Sequence, residues 1–232
     1  GTSERLSPEA PVPIVKHLRE VETLGGAGLV YENLKSLGVD VTLMESDHGY
    51  RSVKTRVICD GHYVTRIDND KRASGNAVLA DVLSNDFSQY EYVILSDYDK
   101  GVLDNAKEII AHINTFGCKV LVDPKRPAGY YEGAWLIKPN MLEESQYGFG
   151  QHHWNWIVTD AKGPVRARIN KVMYTVEPEQ VEVSDVTGAG DCFLAAFVYG
   201  LTTGYEHKRC LELAVKGATE AVKHVGTHII TI

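Results

Sequence analysis

The residues best suited to chemistry lie in one glycine-rich stretch, SDVTGAGDCF at positions 184–193. Two closely spaced glycines permit backbone conformations that other residues resist, and a helix is predicted to begin here. The N-terminus of a helix offers unpaired N–H groups and partial positive charge, which attract an anion. We therefore predict an anion hole formed by Gly188, Ala189 and Gly190, with Asp191 as a base beside a bound phosphate. For Asp191, an ordinary helix cap is the structural alternative.

A second polar pair, Asn140 and Glu143, is spaced like two neighbours on one helix face. Their side chains could order the water shell of Mg²⁺, an ion that keeps several waters when it binds to proteins. The same Asn-x-x-Glu spacing is also that of a helix capping box. Because the two interpretations are compatible, the pair is predicted to begin a helix and to contact magnesium through water.

Polar residues also follow two continuous apolar runs, 92–95 and 119–122, which are typical of buried strands. In an open parallel sheet, ligands bind beyond the carboxyl ends of the strands, so these residues are predicted to contact the substrate. Turn formation alone is an alternative explanation for the two aspartates. The residues are Asp97 and Lys100 after the first run, and Asp123 and Lys125 after the second.

A β-hairpin is predicted from two β-like runs, 53–58 and 62–67, which are joined through an Asp-Gly pair. Lys54 and Arg56 share one face of the first strand, because side chains alternate along a strand. If the hairpin forms a lid, these two cations could hold a phosphate already present on the substrate. A solvated strand face is the alternative.

Alternating strands and helices along the rest of the chain predict a parallel sheet covered on both faces, that is, an α/β fold. We expect one domain over residues 1–232, with lid strands at about 10–24 and 53–68. Further strands are predicted at 39–44, 92–95, 119–122, 134–137, 156–159 and 172–176, and helices at 26–37, 73–83, 104–116, 189–203 and 206–224.

Two places interrupt this alternation. Residues 45–49 lead directly into the hairpin with no helix to cover the preceding strand, and residues 147–155 have an unusual composition. The chain also opens on a proline-rich stretch where an initial strand is expected. We therefore expect segments to be missing at 45–49 and 147–155.

The composition bounds the possible partners and compartment. A formal net charge of −7 at pH 7 gives no electrostatic reason to expect nucleic-acid binding. No apolar run approaches the roughly 20 residues that span a bilayer, and no signal-like segment is visible, so no membrane partner is expected. The four cysteines are scattered without a CxxC pair, which favours a reduced, cytoplasmic protein.

The stretch DVTGAGD at 185–191 resembles the DTxGAGD signature of the ribokinase-like (phosphofructokinase-B) carbohydrate kinases. GGAG at 25–28, NMLE at 140–143 and TDAKG at 159–163 resemble further motifs of that family, and VGT at 225–227 does so more weakly. The resemblance implies a three-layer α/β/α sandwich with a mostly parallel sheet and a small β lid. It also implies an ATP- and Mg²⁺-dependent kinase, a sugar or sugar phosphate as substrate, and a homodimer.

The same resemblance implies roles for individual residues. Gly25 and Gly26 would approach the sugar, whereas Gly163 and Gly226 would lie beside the nucleotide. Asp191 would take the proton from the sugar hydroxyl as that oxygen attacks the γ-phosphate of ATP. Such a transfer depends on positioning and charge neutralisation more than on covalent chemistry.

Four short stretches are similar to the heptose 7-phosphate kinases of the family, or to the kinase half of a bifunctional heptose enzyme. They are SPEAPVP at 7–13, VKTRVI at 53–58, LSDYDKG at 95–101 and VDPK at 122–125. The similarity predicts that the anomeric hydroxyl of a heptose 7-phosphate accepts the phosphoryl group. Whether a nucleotidyltransferase domain accompanies the kinase stays open.

Leu29 departs from the family pattern, which has asparagine at this position. Leucine cannot hydrogen-bond a sugar hydroxyl, so the identity of the sugar stays open. The alternatives are a kinase for another sugar or sugar phosphate, and a catalytically silent homologue that binds sugar or nucleotide. Asn33, one helical turn later, is predicted to act mainly in packing or capping, although a rotated helix would let it replace the missing amide.

Overall fold

Strands and helices alternate along most of the chain. A computed structural model describes residues 1–45, 51–151 and 155–231. The strands in these ranges are β1 (Val53–Cys59), β2 (His62–Asn69), β3 (Tyr92–Ser96), β4 (Lys119–Asp123), β5 (Leu136–Ile137), β6 (Asn155–Val158), β7 (Val165–Ile169) and β8 (Val172–Val176). The helices are α1 (Ala27–Ser36), α2 (Gly75–Leu83), α3 (Ala106–Asn114), α4 (Met141–Tyr147), α5 (Ala189–Thr202) and α6 (His207–Ala221).

Six strands form one mixed sheet in the order β3-β4-β5-β6-β7-β8. The first three pairings are parallel, and the two pairings that add β7 and β8 are antiparallel. Ser96 lies opposite Asp123 in the register of β3 and β4, so both strands end at the same edge of the sheet. The polar residues that follow these strands are therefore brought to one edge, as predicted.

Two apolar cores cover the two faces of this sheet. Leu121 of β4 packs in the core that includes Phe193 and other residues of α1, α5 and α6. Its neighbours Val120 and Val122 point the other way, into the core that includes Ile110 and other residues of α2 and α3. Successive side chains of a buried strand point to opposite faces of the sheet, so they pack against a layer of helices on each face. The predicted α/β/α sandwich is confirmed.

Helices α5 and α6 lie against each other through small residues. A Cβ added to Gly200 would lie 2.9 Å from Sγ of Cys210, and one added to Gly217 would lie 3.1 Å from Cβ of Ala196. This close contact fixes α5, whose N-terminus carries the predicted base. Among the helices of the described ranges, none is both long and apolar enough to cross a membrane.

Strands β1 and β2 form a separate antiparallel hairpin where strands were predicted at 53–68, and their role as a lid stays a prediction. Asp60 and Gly61 both have positive φ, as a tight two-residue hairpin turn requires. The other predicted lid strand, at 10–24, is wrong. The proline-rich N-terminal chain makes only isolated bridges, between Thr2 and Lys16 and between Leu6 and Pro13, because proline has no N–H to donate to a ladder.

Two other strand predictions differ from the structure. Residues 39–44 form no strand, because their backbone does not pair with the edge strand β3. The side chains of Val39 and Val41 still pack against the core. Strand β7 was not predicted, although its buried and outward residues alternate. In the two places where segments were expected to be missing, residues 46–49 and 152–154 lie outside the described residues.

Candidate active site

Asp191 lies in the first turn of α5, directly after the glycine-rich loop. Gly188 is the N-cap residue, and its φ of 76° is the left-handed conformation that favours glycine. The N–H of Ala189 donates to the carbonyl of Val186 at 3.3 Å, whereas the N–H groups of Gly188 and Gly190 have no partner among the described residues. Two amides at this helix N-terminus are therefore available to an anion.

The carboxylate of Asp191 is buried, with 7% of the residue exposed. Its Oδ1 accepts a hydrogen bond from the hydroxyl of Tyr98 at 2.9 Å. Burial and the nearby charge of Asp123 raise the pKa of Asp191 to about 7, against the opposing effects of Tyr98 and Lys138. Asp191 therefore exchanges a proton near neutral pH, as a general base requires. Tyr98 stays a donor, because burial and the neighbouring carboxylates raise its pKa far above the ordinary value.

A buried ion pair between Lys138 and Asp123 lies next to the loop. Lys138 is 3% exposed, and its Nζ lies 3.0 Å from Oδ2 of Asp123. A Cβ added to Gly190 would lie 3.6 Å from that Nζ, so the ammonium group lies close to the backbone of the predicted anion hole. The predicted substrate residue Asp123 is thus engaged by a lysine. Lys138 was missed in the sequence, where the only signal is a lysine directly after the apolar strand β5.

Asn140 and Glu143 form the predicted capping box of α4. The N–H of Glu143 donates to Oδ1 of Asn140, and the N–H of Asn140 donates to Oε2 of Glu143, both at 2.9 Å. The remaining oxygen, Oε1, is paired with Nζ of Lys125. These oxygens are engaged within the protein, and their contact with magnesium through water stays a prediction.

The two glycines predicted to contact the nucleotide border the site in different places. Gly163 closes the turn after Thr159, whose carbonyl accepts the N–H of Met141 at 2.8 Å beside the capping box. Gly226 lies against the glycine-rich loop, where its N–H donates to Oδ2 of Asp185 at 2.9 Å. Both nucleotide contacts stay predictions.

The start of α1 meets the same site. Gly26 has φ 55° and ψ −130°, and a Cβ added to it would lie 2.7 Å from the ring of Tyr98. Gly25 has nothing within 4 Å of such an added atom. Leu29 is 2% exposed, and its Cδ2 lies 2.5 Å from the position of a Cβ on Gly188. A leucine side chain therefore packs against the anion-hole loop where the family pattern has an amide.

Asn33 has the packing role that was predicted for it. The residue is fully buried, its Nδ2 donates to the carbonyl of Leu29 at 2.8 Å, and its Oδ1 accepts the N–H of Ile230 at 2.8 Å. Because both ends of the amide are engaged, Asn33 fastens α1 to the C-terminal segment and does not replace the missing amide at position 29.

Two predicted substrate residues lie outside this arrangement. Asp97 is 3% exposed and accepts hydrogen bonds from the hydroxyl of Tyr131 at 2.6 Å and from the N–H of Asp99 at 2.7 Å. Its carboxylate therefore stabilises the turn that contains Tyr98, the residue whose hydroxyl donates to Asp191. Lys100 pairs with Asp70 at 2.6 Å, next to the end of the hairpin.

The lid hairpin faces the glycine-rich loop across a cavity of about 450 Å³. Arg56 lines this cavity together with Arg66, its direct cross-strand partner, and with Ser184 and Thr187 of the loop. Lys54, on the same strand as Arg56, is exposed and is not among the lining residues. The structure therefore brings one of the two predicted lid cations to the loop.

An α/β/α sandwich in which a glycine-rich loop opens a helix with a buried carboxylate defines a ribokinase-like phosphotransferase. The model of the pfkB family carbohydrate kinases matches residues 27–231. The chain therefore belongs to the pfkB family of carbohydrate kinases.

Two relatives are similar to this chain over its whole length. The chain is 31% identical to the bifunctional protein HldE of Syntrophotalea carbinolica over 290 positions, which cover 100% of the chain and 58% of HldE. It is 29% identical to the D-beta-D-heptose 7-phosphate kinase of Bordetella bronchiseptica over 282 positions, which cover 100% of the chain and 88% of that kinase. The chain spans about three-fifths of the bifunctional relatives. Both alignments exceed its 232 residues by 50 positions or more, so each relative has internal residues that this chain lacks.

Solved structures share the fold. A nucleoside kinase of Burkholderia thailandensis in complex with inosine matches with a TM-score of 0.70 and 17% identity, covering 97% of this chain and 86% of that kinase. An E. coli protein described as a ribokinase II, in complex with ATP and Mg²⁺, matches with a TM-score of 0.63 and 17% identity, covering 94% and 84%. At these identities the comparison establishes the ribokinase-like fold.

Proposed function

We propose that this chain transfers the γ-phosphoryl group of ATP to the anomeric hydroxyl of a heptose 7-phosphate. The observation that carries the proposal is the buried Asp191 carboxylate at the start of α5, close to the Lys138 ammonium group and to two loop amides that have no partner among the described residues. Membership of a carbohydrate kinase family supports transfer to a sugar. A relative named for heptose 7-phosphate supports this particular sugar.

Asp191 acts as the general base in this proposal. The sugar hydroxyl binds at the carboxylate, either in place of Tyr98 at Oδ1 or at Oδ2. As the sugar oxygen forms its bond to the γ-phosphorus, its proton passes to Asp191, and the bond from that phosphorus to the β–γ bridging oxygen breaks to release ADP. General-base assistance of this kind contributes about 10² to 10⁴ in rate.

The loop amides and Lys138 would neutralise the negative charge of the transferring phosphoryl group. The N–H groups of Gly188 and Gly190, which have no partner among the described residues, would bind the negative charge that develops, and the Lys138 ammonium lies close to Gly190. Preorganised positive groups act strongly in a site from which water is excluded. A bound Mg²⁺ would supply further neutralisation of the phosphates, with Asn140 and Glu143 in contact with its water shell.

The phosphate already on the sugar is assigned to the lid. Arg56 faces Ser184 and Thr187 across the cavity between the hairpin and the loop, and a guanidinium group suits bidentate contact with a phosphate. Lys54 is a second cation on the same strand, at the exposed end of the hairpin. The homodimer and the cytoplasmic location stay predictions; sedimentation velocity would test the first.

Leu29 favours a second candidate, a catalytically silent homologue. Its side chain packs against the Gly188 loop, at the position where the family pattern has a hydrogen-bonding amide. A protein of this kind would bind ATP without transferring the phosphoryl group.

The experiment that tests the proposal measures ADP release with ATP, Mg²⁺ and a panel of acceptors. The panel contains heptose 7-phosphate, the unphosphorylated heptose, ribose and fructose 6-phosphate. We expect release to be fastest with heptose 7-phosphate and ³¹P NMR to show a new anomeric phosphate. Faster release with another acceptor would reassign the sugar. ATP binding by calorimetry, without ADP release for any acceptor, would establish the silent homologue.

A further inference from the structure

Three side chains of metal-binding types converge at the C-terminal end of α6. One oxygen of Glu220 and one ring nitrogen each of His224 and His228 lie within 4.8 Å of one another. Across residues 1–45, 51–151 and 155–231, this is the one group of three histidine, cysteine or acidic side chains with that property. We propose that these three residues form a binding site for a single divalent cation of the zinc class.

The local fold explains why the three residues meet. Helix α6 ends at Ala221. The N–H of His224 donates to the carbonyl of Ala221 at 3.2 Å, so a turn follows the end of the helix directly. Gly226 then has φ +82°, which reverses the chain and returns His228 to His224. The two imidazole rings lie parallel, with centroids 3.8 Å apart and planes 6° apart.

The carboxylate of Glu220 is already oriented toward the histidines. Its Oε1 lies 3.3 Å from Nε2 of His224, while its Oε2 accepts a hydrogen bond from Nζ of Lys223 at 2.8 Å. In-plane lone pairs of parallel rings do not point at one centre, so binding requires one imidazole to turn about its χ2 angle. That torsion is broad for histidine, and the turn is therefore a small rearrangement.

The donor set indicates which cation fits. Two imidazole nitrogens and one carboxylate oxygen are a common ligand set of Zn²⁺, and they leave a fourth position for water. Mg²⁺ prefers an all-oxygen shell. The side chains of His224 and Glu220 are 45% and 38% exposed, so a cation can reach the site from solvent.

A cation at this position would fasten the turn 225–227 to α6. The carbonyl of His228 accepts hydrogen bonds from Sγ of Cys192 at 3.4 Å and Nδ2 of Asn33 at 3.5 Å, so one ligand is anchored on the core. Within the turn, Gly226 donates to Asp185 of the glycine-rich loop. The cation would therefore stabilise the segment that supports this loop, whether or not the chain is a heptose kinase.

Calorimetric titration of the full chain with Zn²⁺ tests the proposal, and the absorption spectrum with Co²⁺ reports the geometry of the site. We expect one Zn²⁺ per chain, a higher melting temperature with Zn²⁺ than with Mg²⁺, and visible absorption bands of tetrahedral Co²⁺. His224→Ala and Glu220→Gln should each weaken Zn²⁺ binding by about tenfold or more, because even the loss of a group that only orients a metal ligand costs about 10- to 100-fold. Both side chains are partly exposed, so both variants should keep the fold.

Two control variants make the result decisive. His17→Ala removes an exposed histidine of the N-terminal segment and should leave Zn²⁺ affinity unchanged. A double His152→Ala/His153→Ala variant removes the adjacent histidine pair of the sequence and should also leave it unchanged. The proposal is overturned if the native chain does not bind Zn²⁺. It is equally overturned if binding survives in His224→Ala and Glu220→Gln or is lost with the His152 and His153 pair.

Discussion

The hydroxyl of Tyr98 donates a hydrogen bond to Oδ1 of Asp191 at 2.9 Å, although 93 positions separate the two residues in the sequence. The ring of Tyr98 also lies against Gly26 at the start of α1. One side chain therefore connects the segment after β3, the start of α1 and the proposed base. This contact stabilises the ionised form of Asp191, which is the form that accepts a proton.

Tyr98→Phe is expected to shift the pH dependence of turnover. In the native chain, kcat/KM should rise with pH through about 7 as Asp191 loses its proton. Without the hydrogen bond from Tyr98, the carboxylate is less favoured and the pKa of Asp191 rises, so the acidic limb moves to higher pH by about one unit. A pH profile of kcat/KM for ADP release measures the shift. Tyr205→Phe, which removes the hydroxyl of an exposed tyrosine, is the control, and an unmoved limb in Tyr98→Phe contradicts the assignment.

Asp191→Asn is expected to stabilise the fold above neutral pH. Because the pKa of Asp191 is raised from 3.8 to about 7, the folded state binds this proton more tightly than the unfolded state. Native stability therefore falls as pH rises from about 4 through about 7. The amide carries no charge, so the variant should gain on the order of 1–3 kcal/mol at pH 8 and little at pH 4. Urea unfolding at both pH values measures this, and a variant less stable than the native chain at pH 8 is inconsistent with a buried, charged Asp191.

Local sequence signals predicted the parts of the site that depend on local structure. The glycine-rich loop, the capping box at Asn140 and the hairpin turn are each defined by residues within a few positions of one another. Their backbone requirements, such as the positive φ of Gly188, are visible in the residue types. The structure therefore agrees with the sequence at these points.

The remaining features depend on partners that are distant in the sequence. Asp97 was placed correctly at a strand end, but its carboxylate accepts a hydrogen bond from Tyr131, 34 residues away, a partner that no local pattern indicates. Lys138 pairs with Asp123 on a neighbouring strand, which no local pattern indicates. The segment 39–44 has a strand-like composition, but a strand also needs a paired neighbour, and these residues pair with none of the described strands.

Lys138→Met is expected to lower both stability and turnover. It leaves Asp123 largely buried without its counterion, a change that costs about 3–5 kcal/mol. It also removes the positive charge next to Gly190. Lys107→Met is the matched control for stability, because the side chains of Lys107 and its partner Glu132 are 60% and 61% exposed and the change should cost less.

A double variant separates the two effects of Lys138. Asp123→Asn combined with Lys138→Met removes both charges and should recover part of the lost stability, as replacement of whole buried ion pairs often does. Turnover should stay low, because the ammonium group is still absent. Chemical unfolding and single-turnover kinetics measure the two quantities, and recovery of native turnover in the double variant argues against a catalytic role of Lys138.

Leu29→Asn tests the departure from the family pattern. The variant restores the amide of the family motif, so the KM for heptose 7-phosphate should fall severalfold, whereas the loss of buried apolar surface lowers stability by about 2–5 kcal/mol. Leu34→Ala, at another buried leucine of α1, should give a comparable loss of stability with no change in KM. Steady-state kinetics decide the question, and an unchanged or higher KM in Leu29→Asn means that position 29 does not contact the sugar.

The measurement that most directly tests the central claim is the single-turnover rate of phosphoryl transfer by Asp191→Asn with ATP, Mg²⁺ and heptose 7-phosphate. Asp40→Asn, at an exposed aspartate, serves as the control. If Asp191 is the base, the rate falls by about 10² to 10⁴ while ATP binding is retained and the control keeps the native rate. A rate in Asp191→Asn equal to that of the native chain would contradict the account.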